Sequence, residues 1–165
     1  MDKQIMIDTA VQTAKAAQIR DDVCSRSVLI GLSSILEDMP EEMINASLSL
    51  LGGTGAASGS CGAYCAGLLG IGLKFNNALE DELSNPALKM EGIQKAVEYR
   101  DRFIASVGTV MCPAIHQKIF GRSYIFTDPE QEMEFLSLEG HEVKCADIVA
   151  EATRIAAEMI INADL

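Results

Sequence analysis

Basic residues are scarce in this chain: 13 Lys and Arg stand against 24 Asp and Glu, giving a formal net charge of −11 over 165 residues. Phosphate backbones and anionic lipid surfaces are recognised by clustered Lys and Arg, so neither nucleic acid nor a membrane surface is expected as a partner. Long apolar runs are missing as well. The opening MDKQIMIDTAVQTAKAAQ mixes polar and apolar residues too evenly for a signal peptide, and no later stretch reaches membrane-spanning length without polar interruption. The cytoplasm is the expected compartment. There is no internal repeat, no low-complexity tract and no alternation of strand with helix patterns, which excludes solenoids and α/β folds. The strong local metal signatures are absent too: no CxxC pair, no ferredoxin spacing and no CxxCH motif for c-type haem. A phosphate loop would need Lys and then Ser or Thr after its last glycine, whereas Gly59 is followed by Ser60 and Cys61. No strand precedes that loop to support a dinucleotide fingerprint.

Apolar residues make up 48% of the chain and charged residues 22%, an ordinary globular balance. A chain of this length buries roughly 70% of its unfolded surface, so one helical domain over residues 1–165 is expected. Ile7, Ala10, Val11, Ala14 and Ala17 recur at helical spacing through residues 3–19. Asp21 and Asp22 then suit the start of a second helix, with Cys24, Val28, Leu32 and Ile35 along its inner face. Pro40, Glu41 and Glu42 open a third helix that runs to about Leu51. GGTGAASGS follows as a glycine-rich loop in which Ser58 or Ser60 is placed to cap the next helix. That helix, 61–73, consists almost wholly of small and apolar residues, as a central helix touched on all sides would. NNALEDELSNP reads as a polar connection. The helix after Pro86 turns Met90, Ile93, Val97, Ile104 and Val107 inward and closes at Gly108. A short helix follows with Pro113 in its first position and Cys112 as cap. Tyr124–Thr127 is the one strand-like scrap. Glu130, Glu132 and Glu134 form a solvated face, and residues 140–162 form a long amphipathic helix with Cys145, Ile148, Val149, Ala152, Ile155, Ala156 and Met159 on its face. The fold class is all-α, a multi-helix bundle built around a small-residue helix.

Cys24, Cys61, Cys65, Cys112 and Cys145 are an odd set in a chain with no export signal, so a disulfide framework is not expected. Cys61 and Cys112 fall at helix starts, where free amides and the dipole favour a thiolate and a lowered pKa. Cys61 with Cys65, and Cys112 with His116, are spaced i,i+4 as two ligands of one metal could be. Core packing is the competing role for a buried thiol, best suited to Cys24 and Cys145. His116 is expected to be a surface or satisfied histidine, and His141 to face solvent.

GSCGAYCAGLLGIGL, with Cys24 in CSRSVLIGL, Cys112 in VMCPAIHQKIFG and Cys145 in HEVKCADIVAEATRIAAEM, resembles the redox-active protein family named for its C_GCAxxG_C_C cysteine pattern. The resemblance spans about residues 20–160. It implies a helical, redox-active protein whose four cysteines, Cys24, Cys61, Cys112 and Cys145, bind an iron–sulfur cluster and serve electron transfer or a larger oxidoreductase. The glycine expected at the end of the motif is Ala66 here, with Gly67 one place later, and Cys65 is an extra thiol. The alternatives are a thiol–disulfide redox protein without metal, in which Cys61 or Cys112 is the nucleophile, and a zinc-binding or structural helical partner protein. A helical homodimer is compatible with the eight methionines and the glycine-rich helix.

Overall fold

The computed structural model describes residues 2–163, and its architecture is all-α. α1 (Lys3–Asp21) buries Ile7, Ala10, Ala14 and Ala17, the stripe that the spacing marks. Asp21 is its last residue and Asp22 caps its C-terminus in the left-handed conformation. The acidic pair therefore ends one helix instead of starting the next. α2 (Cys24–Leu32) follows after two residues, Asp22 and Val23. α3 (Glu41–Ala46) is shorter than expected because the chain tightens into a 3₁₀ turn at Ser47–Leu50. α4 is the four-residue turn Leu51–Thr54, kinked at Gly52 and Gly53.

α5 (Gly62–Phe75) packs against α2, α7 and α10. It is central as expected, although Leu69 on one edge reaches solvent. Two glycines permit this closeness. A Cβ at Gly67 would stand 1.9 Å from Tyr99 Oη, and one at Gly62 would stand 2.6 Å from Leu50 O and 2.8 Å from Cys24 Sγ. Gly67 thus supplies the close approach that the motif's displaced glycine left in question.

The polar connection contains a short helix, α6 (Leu79–Ser84), opened by Glu80, Asp81 and Glu82. α7 (Pro86–Val107) has the expected bounds, with Gly108 as its left-handed cap, but the opposite face is inward. Met90, Ile93, Val97 and Ile104 are exposed, while Gly92, Tyr99 and Phe103 are buried. Two aromatic rings bury more surface than the aliphatic stripe does. They stack with Tyr64 of α5 at centroid distances of 5.8 and 5.3 Å, and this fixes the rotation of the helix.

α8 (Cys112–Phe120) begins one residue earlier than expected, with Met111 as cap and Cys112 in the first turn. Tyr124–Thr127 is irregular, because among the described residues no strand lies beside it to pair with; Tyr124 and Phe126 both turn toward His116. α9 (Pro129–Leu136) leaves Glu130, Glu132 and Glu134 exposed. α10 (His141–Asn162) buries Val149, Ala152, Ile155, Ala156 and Met159 against α1, α2, α5 and α7. Among the described residues, no helix is long and apolar enough to cross a membrane.

Candidate functional site

The glycine-rich loop brings two helix starts together. The Cys61 amide donates to Val110 O at 2.7 Å and the Cys112 amide donates to Gly59 O at 2.9 Å, forming an isolated antiparallel bridge between Ser60 and Met111. α5 and α8 therefore begin side by side, each at its cysteine. The loop reaches this geometry through left-handed residues at Gly52, Gly53, Thr54, Gly55, Ala56 and Ser58. Left-handed backbone costs a non-glycine residue about 1 kcal/mol or more, and it is held here by Gly59 N–H donating to Gly53 O and Thr54 Oγ1 donating to Ser60 O. Neither Ser58 nor Ser60 caps α5; Cys61 occupies the cap position.

Cys24 at the start of α2 and Cys145 on α10 complete the set. All four thiols line one cavity of about 150 Å³, together with Gln18, Asp22, His116, Phe126 and Phe135. Each of Cys24, Cys112 and Cys145 feels the charge of Cys61, and Cys24 feels that of all three others. Every cysteine is free. Cys65, also half-buried, is not among the residues lining the cavity; its sulfur lies 3.7 Å from Thr54 Oγ1.

The thiols do not have the lowered pKa expected of helix starts. Burial pushes Cys61 up, and the amides of Tyr64 and Ala63 recover only part of the rise. Burial and the charge of Cys61 push Cys112 up to about 12. Cys24 and Cys145 are raised as well, burial being the main cause in both. A helix dipole is worth at most about 2 kcal/mol, whereas full burial moves a titratable group by as much as about 3–5 pKa units. Desolvation wins, so the metal-free protein holds four protonated thiols at neutral pH.

Two polar atoms in the cavity wall are buried without a partner, Gln18 Oε1 and His116 Nδ1. Gln18 uses its Nε2 to donate to Asp22 Oδ1 at 2.8 Å. His116 is 5% exposed, so it is a core residue, not a surface one. Its Nε2 lies 3.8 Å from Cys112 Sγ, as the i,i+4 spacing allows. Four of the chain's eight aromatic residues box its ring, with Phe135 stacked at 5.2 Å and Phe120, Tyr124 and Phe126 edge-on. Burial lowers its pKa to about 4, which keeps the imidazole neutral.

His141 does not face solvent. Its ring nitrogens meet Asp22 Oδ2 at 2.9 Å and Leu138 O at 3.0 Å, and its ring packs on Phe135. Burial works to lower its pKa, but these acceptors outweigh that and raise it. Gln18, Asp22 and the aromatic residues carry no motif; only the Cys112–His116 spacing marked a member of this wall in the sequence.

A sequence model of the family described as "putative redox-active protein (C_GCAxxG_C_C)" matches residues 23–159. The chain belongs to the C_GCAxxG_C_C family. No curated protein and no solved structure matches it. The four cysteines that line the cavity lie within the matched residues, at the start of α2, at the cap of α5, at the start of α8 and on α10. As donors they are four thiols around a volume. Among the described residues, no three His, Cys, Asp or Glu side chains form a group that could hold a single metal ion. Thiol donors are of the kind that soft metals and iron–sulfur clusters take as ligands.

Proposed function

We propose that this redox-active protein holds an iron–sulfur cluster on Cys24, Cys61, Cys112 and Cys145 and exchanges electrons with a partner oxidoreductase. The observation that carries the reading is the convergence of four free thiols, from four helices, on one cavity with apolar and aromatic walls. A bound cluster would supply reversible one-electron chemistry. The chain supplies four thiolates, released from their protons as metal binds. Phe126 and Phe135 give the wall an apolar side, and the amides of Tyr64 and Ala63 favour negative charge at Cys61. Five free thiols suit the reducing cytoplasm. A net charge of −11 suits a partner with a basic docking face.

Thiol–disulfide exchange needs an exposed thiolate; here Cys61 and Cys112, the expected nucleophiles, are buried and held protonated.

The test is iron and acid-labile sulfide analysis of anaerobically prepared protein, with a visible spectrum of the same sample. Iron and sulfide in matching amounts, with charge-transfer bands, are expected. Single Cys→Ala changes at positions 24, 61, 112 and 145 should each abolish or cut the iron, while Cys65→Ala leaves it unchanged. Protein with five titratable thiols and neither iron nor sulfide would defeat the proposal.

A further inference from the structure

The cavity sulfurs are not equally served by hydrogen-bond donors. The amides of Tyr64 and Ala63 favour the charged form of Cys61, and the amide of Ser25 that of Cys24. At Cys112, burial and the charge of Cys61 act with no amide opposing them. The residue that follows Cys112 is Pro113, which has no N–H to offer. The neighbour that reaches the Cys112 sulfur is the imidazole of His116, one helical turn on, with Nε2 at 3.8 Å.

The aromatic box allows one tautomer at low cost. Nδ1 is buried without a partner, so a proton there would bury an unsatisfied N–H at a cost of about 1–3 kcal/mol. A proton on Nε2 instead points at sulfur. Phe120, Tyr124, Phe126 and Phe135 hold the ring in that orientation.

We infer that His116 is a fifth functional group of the redox centre: its Nε2–H donates to the Cys112 sulfur, takes the place of the amide that Pro113 removes, and raises the centre's reduction potential. This rests on the cluster reading above. Reduction adds negative charge to the ligand sulfurs, and a donor aimed at one of them stabilises the reduced state more than the oxidised state. His116 acts through Cys112 and is a positioning and tuning residue, with no claim to ligate iron.

The test compares wild type with H116F, which keeps a ring in the box and removes both nitrogens. Iron and sulfide are measured first, then the reduced-to-oxidised ratio at a fixed applied potential. The expected result is unchanged iron with a ratio lowered roughly tenfold, the scale of one charge-assisted hydrogen bond. Pro113→Ala restores an amide after Cys112, so the double change H116F/P113A should recover most of the loss. If H116F fails to load iron, P113A alone carries the test and should raise the ratio. An iron-loaded H116F with an unchanged ratio, or an iron-loaded P113A without effect, overturns the inference. Wild type without iron and sulfide overturns the cluster reading, and this one with it.

Discussion

Gly67→Ala tests the contact that sets α5 against α7. The added Cβ would stand 1.9 Å from Tyr99 Oη and 2.4 Å from its Cζ, so the ring must leave its place. Tyr99 is fully buried, its ring packs against those of Tyr64 and Phe103, and its hydroxyl donates to Ala152 O on α10 at 3.4 Å. On an open helix surface the exchange would stabilise by about 1 kcal/mol. Overpacking a core costs about 1–3 kcal/mol, and losing a buried aromatic altogether costs about 3–5 kcal/mol. Displacing Tyr99 falls between these, so after the propensity gain the expected loss is about 2 kcal/mol. With a urea m-value of about 2 kcal/mol per M, the unfolding midpoint should fall by about 1 M. Circular dichroism of metal-free protein in urea reads this directly. Tyr99→Leu removes the atoms in the way, so the double change should be less damaging than the two single effects added, with a coupling of about 1 kcal/mol or more. A midpoint unchanged or raised by Gly67→Ala, or strict additivity of the pair, would refute the packing described for α5 and α7.

Gly62→Ala places a methyl 2.8 Å from Cys24 Sγ and 2.6 Å from Leu50 O; iron per chain should fall by more than half while far-ultraviolet circular dichroism stays helical, and full loading would show that this approach does not shape the site. His116 gives the metal-free protein a specific acid sensitivity. Its folded pKa is depressed by burial to about 4, so the stability it contributes is present above the unfolded value near 6.5 and is lost as pH falls toward 4. That interval is worth about 3 kcal/mol. Urea midpoints measured from pH 7 to pH 4 should drop steeply in wild type and more gently in H116F, and parallel curves would contradict the burial of the neutral imidazole.

Much of the architecture is legible in the chain because helical periodicity and caps are local. The stripe of α1, the glycine cap of α7 and the face of α10 follow from spacing alone. The rotation of α7 does not. It carries two candidate stripes, and which one turns inward depends on Tyr64, a residue more than twenty positions away whose ring completes the aromatic stack. A periodicity argument weighs four aliphatic residues above two rings and a glycine; packing weighs them the other way. The acidic pair at the α1–α2 junction illustrates the same limit. Asp21 and Asp22 suit a helix start chemically, but Asp22 sits left-handed at a helix end, where its carboxylate accepts from Gln18 and meets His141, residues no local rule could join.

The cysteines show where motif reading stops and tertiary physics begins. Their identity as a set is carried by sequence context, but their chemistry depends on how deeply the fold covers them. The dipole at a helix start and the desolvation of a closed cavity act on the same sulfur with opposite signs, and only the first is visible in a sequence. At Cys61 the amides of Tyr64 and Ala63 favour the thiolate and still lose to burial; at Cys112, which Pro113 follows, burial meets no such opposition. A cavity that keeps its thiols protonated when empty makes a poor nucleophile. The same cavity favours a cofactor whose positive charge can displace those protons, because low polarity around the sulfurs strengthens the attraction between bound metal and thiolate. The rise in thiol pKa therefore supports metal chemistry over thiol exchange at this site, and it does so through the burial that the helix-start argument leaves out.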